Sequence, residues 1–504
     1  MTVFDDPNAR RVFTAEIKPY DTATSALTTL YVSTEGFTTA SSDTPADTYF
    51  EPILSSKLVF QRSMYRPGAV GGRSLPGRGN LVLVNTGQFD AWLALHFDGR
   101  QVTIKAGVSG DAYSTFQTVF EGFCGEAGFG RNEIHLPLLD KREKLDKVLQ
   151  ETLFAGTGGV EGGDDLKSKP KPVCFGKCFN LKPVEVDATN RIHQVNNGQI
   201  EAIDAVYDNG KLLVLTTDYT VDLVNGRFTL VAASTGLITA DVQGDKAGGV
   251  YVSSAADIME RLVVTFGGLA TPADLDTASF TALNVLTTAA LGFYSGTAAR
   301  NLLDVLDEIV ASIGGFYGFT RAGLFSVGRF EAPGGTPALY LTESDLTKDS
   351  LGRESYGPPA WRRRIGYGRS WTVQLPDQMD VLATAAHKSF VAEEFRVASD
   401  EDTTVKADGV GNGGYKNAID PEPLATLLAL KADAESEATR RLTLYKTRRE
   451  NFNAVAKTQP FAIDLGDVVN LSHARFGLAG GRDLIVVGFK EFAALGEVTL
   501  DLWG

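Results

Sequence analysis

The sequence predicts a multidomain α+β protein, β-rich, with small β-barrel or sandwich domains and a helical segment between them. Three observations predict it. The chain has 504 residues, and one compact domain takes up roughly 100–200, so the chain divides into several. Its 53 glycines and 19 prolines supply many tight turns, the punctuation of short strands. Two Asn-Gly steps, Asn209-Gly210 and Asn225-Gly226, each separate two strand-like runs, which is the sequence form of a β-hairpin.

Taken in order, residues 1–155 form an N-terminal barrel-like domain. Strands are expected at 12–17, 58–61, 81–85, 91–97, 101–105 and 118–123, with Asp98-Gly99 as a hairpin turn. Residues 156–171, with Gly158-Gly159, Gly162-Gly163, Asp164-Asp165 and Lys-Pro steps, read as a linker. Residues 172–250 form a β-meander, in which Asn209-Gly210 joins 202–207 to 212–215 and Asn225-Gly226 joins 219–224 to 227–231. A helical segment and hairpin follow at 251–335. Leu302, Leu306, Ile309 and Ile313 share one face of its last helix, Thr297 caps it and Gly314-Gly315 ends it. That helix runs into a hairpin of 316–320 and 324–329. Residues 336–420 are mixed α+β, with strands at 364–375 and 390–397 and a flexible joint at Gly409–Gly414. The last unit, 421–504, opens with a long helix at 421–449 and closes on strands 453–458, 468–472, 483–489 and 497–502.

Composition excludes several classes. Hydrophobic residues at 43% and charged residues at 22% suit folded domains and exclude wholesale disorder. The most apolar stretch, 282–294, is broken by Asn284, Thr287, Thr288 and Gly292 and falls short of the roughly 18 apolar residues of a membrane span. The first residues carry acids and a proline rather than a positive start and an apolar run, so the expectation is a soluble chain made in a cytoplasm. A formal charge of −14 argues against sequence-independent nucleic-acid binding, which rests on Lys and Arg neutralising phosphates.

Residues with chemical potential do not assemble into a motif. Three cysteines form no disulfide framework. Cys174 and Cys178 are close, but no second pair of ligands follows, and two buried thiols are expected. His96, His135, His193, His387 and His473 are scattered without ligand spacing. Gly176-Lys177 fails as a phosphate loop because Lys171 stands where the earlier glycine belongs. The cluster Arg362, Arg363, Arg364 and Arg369 beside Trp361, Tyr367 and Trp371 has the makings of a nucleic-acid patch. The favoured reading is a strand divided between a solvated and a packed face. Arg440, Arg441, Lys446, Arg448 and Arg449 crowd the end of the last helix, where cations suit its dipole, and are expected on a solvated or subunit-facing surface. The expectation is therefore a non-enzyme with no catalytic residue, cofactor or metal site.

Three passages carry a family resemblance. Residues 298–317, helix then strand, 364–373, and the closing run 465–471, 482–488 and 498–502 resemble the tail-tip hub proteins of long-tailed bacteriophages, the family of the lambda host-specificity protein and of gene transfer agent hubs. Residues 156–172 and 192–210 also look like segments of phage tail proteins. The resemblance implies a virion protein of the tail tip, assembled in the host bacterial cytoplasm. It implies a homotrimeric ring or cone that joins a sixfold tube to a threefold central fibre, with barrel-like domains continuing around it. Partners so implied are the distal tail protein, tail tube, tape measure protein and central fibre protein. Genomic DNA would pass without specific binding, along a lumen whose acidic walls repel it. The lambda relative continues into fibre domains where this sequence ends at Trp503-Gly504, so host contact is expected to be indirect. Two rivals remain: a receptor- or carbohydrate-binding adhesin, which needs an exposed aromatic patch, and a tail-associated cell-wall hydrolase.

Overall fold

Strands from the two ends of the chain form one sheet in the computed structural model, which describes Phe4, Asp6 and residues 9–55, 57–65, 74–355, 358–407, 418–458, 461, 463–493 and 495–504. Fourteen strands belong to it. From the N-terminal part come β1 (Arg11–Ile17), β2 (Leu30–Ser33), β3 (Val59–Ser63), β4 (Arg78–Val84), β5 (Arg100–Val108), β6 (Gln117–Cys124), β7 (Gly128–Phe129) and β8 (Glu133–Leu139). The C-terminal part adds β9 (Leu339–Leu341), β10 (Gly352–Ser355), β11 (Glu450–Lys457), β12 (Val468–Leu471), β13 (Arg482–Phe492) and β14 (Glu497–Trp503). The order is β10-β11-β14-β13-β3-β4-β8-β6-β5-β1-β2, with β7 beside β8, β12 beside β13 and β9 beside β12. Period-two alternation drives these strands: Ile134, Leu136 and Leu138 point inward from β8, Val498, Leu500 and Leu502 from β14. Both sets belong to one continuous core, within which Phe4 stacks on Phe461 at 4.7 Å.

Each half of the sheet curls. The segment after β2 bridges Val32 to Glu51 and Leu54 to Leu83 of β4, and the segment after β9 bridges Leu346 to Ala456 of β11. Isolated bridges, not complete strands, make these returns, so among the described residues the modules are barrel-like without a closed ladder. Two sequence expectations in this region change. Residues 91–97 are a short 3₁₀ turn, Asp90–Ala94, followed by Leu95–His96, which pairs with Tyr20–Asp21. Asp98-Gly99 therefore turns the chain without joining a hairpin, and of the two only Gly99 has positive φ, whereas a type I′ turn needs both.

The middle of the chain holds two antiparallel sheets. Lys211–Leu212, Ile200–Asp208, Ile238–Asp245, Val173–Leu181 and Gly292–Ser295 form one, and Val184–Asp187, Ile192–Gln194, Arg227–Leu230 and Tyr219–Asp222 the other. Asn209 and Gly210 both take positive φ, 48° and 82°, and close the expected type I′ hairpin. The Asn225-Gly226 hairpin also forms, but Asp222 pairs with Arg227 across a four-residue loop that the Asp222 side chain holds by accepting from the Asn225 N–H. Residues 156–171 are folded: Lys171 pairs with Glu161 at 2.6 Å, and Leu166 packs with Phe154, Val184 and Val186.

The helical segment consists of α1 (Ala255–Thr265), α2 (Thr277–Leu286) and α3 (Leu302–Ile313), interrupted by the strand Gly292–Ser295. Leu302, Leu306, Ile309 and Ile313 are buried together, as their spacing requires. Asn301, not Thr297, caps α3, its side chain accepting from the Leu303 N–H at 2.8 Å. Gly314 ends the helix at φ 65°, in the left-handed region. Gly315–Phe319 and Phe325–Arg329 then pair as a hairpin. Further on, Arg362–Tyr367 is a strand that stops well before residue 375, and 390–397 is divided between α4 (Ala385–Val391) and the strand Arg396–Glu401. Glycine-rich residues 409–414 lie outside the described residues. The long helix, α5 (Lys431–Tyr445), starts ten residues later than expected, because Pro421 and Pro423 favour extended backbone and Leu424–Ala425 pairs in parallel with Ile365 and Gly366.

Candidate functional site

Antiparallel pairing of β3 with β13 joins the two curled modules side to side. Ser63 faces Gly488, Gln61 faces Lys490 and Val59 faces Phe492. The Met64 N–H donates to the Val487 carbonyl at 2.8 Å, across more than 400 residues of sequence, and the Ala493 N–H donates to Leu58 at 3.1 Å. β13 carries a bulge between Val486 and Gly488 against β14, which increases local twist where the sheet passes from one module to the other.

A buried charge network holds the seam to the rest of the molecule. Arg321, in the turn of the hairpin after α3, donates to Glu491 of β13 at 2.5 Å and to the Ile463 carbonyl at 2.5 Å. Its guanidinium lies 4.7 Å from the Phe489 ring centre. Arg62 of β3 pairs with Asp464. Glu491 is 1% exposed, and burial pushes its carboxyl above the ordinary range although Arg321 pulls the other way. Burial works against the Arg321 charge too, but Glu491 and Asp464 outweigh it and hold its pKa above the usual value. The helical segment is thus pinned to the seam.

The sheet's ends differ. Glu51 lies along the outer side of β2, accepting from Ser33 and donating to the Tyr31 carbonyl. β10 pairs with β11 on one side only, no strand among the described residues covers its other side, and Gly352, Arg353 and Glu354 are exposed. Such an edge can accept a further strand.

Residues flagged from sequence fall elsewhere. Cys174 and Cys178 are buried free thiols in the core of the middle module. His193 stacks on Phe228 at 5.1 Å, and burial lowers its pKa to about 4. His387 of α4 stacks on Tyr207 at 3.9 Å. His96 sits in a two-residue strand, His135 in β8 and His473 just after β12. Arg362 and Arg364 share Asp420, Arg369 pairs with Glu394 and lies 4.2 Å from the Trp371 ring, and Arg363 lies 4.4 Å from that of Tyr445. These arginines and aromatics are engaged with one another. The basic helix end is corrected in part: Arg440 and Arg441 face inward, donating to the Ile313 and Ala311 carbonyls at 3.0 and 2.7 Å. They thereby satisfy the free end of α3, with buried Glu437 held between them. Arg321 and Glu491 gave no sequence signal, since neither belongs to a motif and 170 residues separate them.

No family model matches the chain, and no curated protein matches its sequence. Solved structures do match. A 43 kDa tail protein of prophage MuSo2 from Shewanella oneidensis aligns over 97% of this chain and 98% of its own, at 10% identity and TM-score 0.41. The prophage tail protein gp18 from Listeria monocytogenes EGD-e aligns over 98% and 94%, at 7% identity and TM-score 0.44. A chain of the native gene transfer agent virion aligns over 67% and 84%, at 12% identity and TM-score 0.46. Likeness at this level carries nothing about function by itself.

Proposed function

We propose that the chain is a structural hub at the distal tip of a bacteriophage tail, three copies forming a ring or cone that joins the tail tube to the central fibre and surrounds the DNA exit channel. The observation that carries this reading is the β3–β13 seam. One chain supplies two curled β modules fused side to side, so three chains supply six modules, which is what a threefold object needs beneath a sixfold tube. The sequence passages similar to tail-tip hubs support the same reading. In it the chain contributes shape and no catalysis. Its partners are further copies of itself, the distal tail protein, tail tube, tape measure protein and central fibre protein. The adhesin reading has less support, because the exposed large hydrophobics among the described residues are aliphatic apart from Tyr49 and Tyr340. Electron cryomicroscopy of whole particles tests the proposal. We expect threefold density at the tail tip with six β modules in a ring, and this chain found in any other symmetry, or absent from the tip, overturns it.

A further inference from the structure

Between the strands Arg362–Tyr367 and Arg396–Glu401 the chain makes an excursion whose outer part, residues 373–391, is a lobe laid on the middle β module. The two ends of the excursion meet. Tyr367 pairs with Arg396, and the Ser370 N–H donates to the Glu394 carbonyl at 2.8 Å. Trp371 fixes this neck, edge-on to Phe293 and Tyr294 at 6.0 and 6.1 Å. Beyond the neck, Met379, Ala383 and Val391 are buried together, with Phe390 packed against them. A lobe with joined ends and a small core of its own can turn about its neck while the strands on either side stay paired.

The lobe meets the module through the Asp380 N–H, which donates to the Asn209 carbonyl at 2.9 Å, through Met379 against Gly210, and through two ring contacts. Phe390 lies edge-on to Phe179 at 5.7 Å, and His387 of α4 stacks on Tyr207 at 3.9 Å. Other atoms are badly placed. Gln374 Nε2 and Oε1, His387 Nε2 and, in the sheet, Asn180 Oδ1 are buried with no hydrogen-bond partner among the described residues, although buried polar groups are normally paired. Val373, Leu375, Val381 and Leu382, by contrast, are 51%, 61%, 91% and 65% exposed. Polar atoms are shut in and aliphatic side chains left out, the reverse of a settled interface. The titratable and charged groups on the packed elements are Tyr207, whose hydroxyl donates to Asp241 at 3.2 Å, Lys177 with Asp204 at 3.9 Å, and Lys388 and Asp380 of the lobe. None of them makes a hydrogen bond or ion pair with the His387 ring. A proton on that ring therefore puts a charge against the sheet with no counter-charge in contact.

We infer that residues 373–391 are a hinged cover on the middle module, which swings off as a unit when His387 takes up a proton and so uncovers Phe179, Asn180 and Tyr207. Burial holds the His387 pKa below the ordinary 6.5, so the open form takes the proton first. Closure is then fully favoured above pH 6.5 and weakens as pH falls below it. Asp241 acts in the opposite sense, because burial raises its carboxyl. Hydrogen exchange of the full chain at pH 7.5 and pH 5.5, corrected for the intrinsic pH dependence of exchange, tests the cover. We expect opening of 373–391 to increase at pH 5.5 by up to about tenfold, the ceiling set by an open-state pKa of about 6.5. The strand Ile200–Asp208, held by its own sheet partners, stays protected. His387→Phe keeps a ring against Tyr207 and His387→Gln does not, but neither can be protonated in this range, and both are expected to lose the pH response while Asp241 is unchanged. Protection of Ile200–Asp208 shows in each variant that the module is folded. Opening of 373–391 that does not change with pH, a response that persists in both variants, or opening that takes Ile200–Asp208 with it overturns the inference.

Discussion

Among single residues, Glu491 and His193 make the sharpest tests. Glu491 is buried with Arg321 as its ion-pair partner, and removing one member of such a pair strands the other charge in a low-dielectric site. Glu491→Ala is expected to destabilise the seam by about 3–5 kcal/mol, whereas Arg321→Met with Glu491→Leu restores most of the loss because no charge is left behind. Hydrogen exchange of residues 482–492 under urea measures both. His193 is buried and neutral, with a folded-state pKa of about 4 against an ordinary 6.5. Between those values the unfolded chain binds the extra proton, so the contribution is fully present above pH 6.5 and is lost as pH falls toward 4. The loss amounts to roughly 3 kcal/mol at about 1.4 kcal/mol per unit. A urea titration of the middle module from pH 7 to pH 4 is expected to show it, and His193→Phe to remove that slope.

For elements, the outcome turns on which strands find each other. Most strands were legible as alternating runs, and the closing set β11 to β14 falls within a few residues of its expected positions. The pairing of β3 with β13 was not, because alternation reports a face and says nothing about the partner strand. Residues 91–97 and 390–397 carry the apolar runs of strands yet fold in part as a 3₁₀ turn and the end of α4, because runs too brief to show a period leave helix and strand indistinguishable. The inward turn of Arg440 and Arg441 was hidden for a related reason, since α3, whose carbonyls they satisfy, lies more than 100 residues away. The seam itself makes a prediction. Gln61 is paired on both sides, with Lys490 and with Arg78, so Gln61→Pro removes a ladder donor from a central strand and is expected to cost about 3 kcal/mol or more. The exposed control Val381→Pro leaves the ladder intact. Limited proteolysis is expected to release the C-terminal module from the Gln61 variant alone.

On the scale of the whole molecule, net charge bears on the proposed assembly. Three copies of a chain with formal charge −14 repel one another over a distance that salt controls, the Debye length falling from about 30 Å at 0.01 M to about 8 Å at 0.15 M. Association is therefore expected to tighten as salt rises across that range, as read by sedimentation. Binding that weakens instead would mean that attraction between opposite charges, rather than apolar contact, governs assembly. The described helices include none long and apolar enough to cross a membrane, in keeping with the interrupted apolar stretch at 282–294.

By itself the sequence determined the class of fold, most of the strands, the α3 helix with its glycine stop and the Asn209-Gly210 turn, because each follows from interactions among residues near one another in the chain. Tertiary structure alone decided that the two ends share one sheet, that Arg321 reaches Glu491, and that Arg440 and Arg441 turn inward to the carbonyls at the end of α3. Those outcomes depend on which distant segments meet, and local periodicity and turn chemistry carry no information about that.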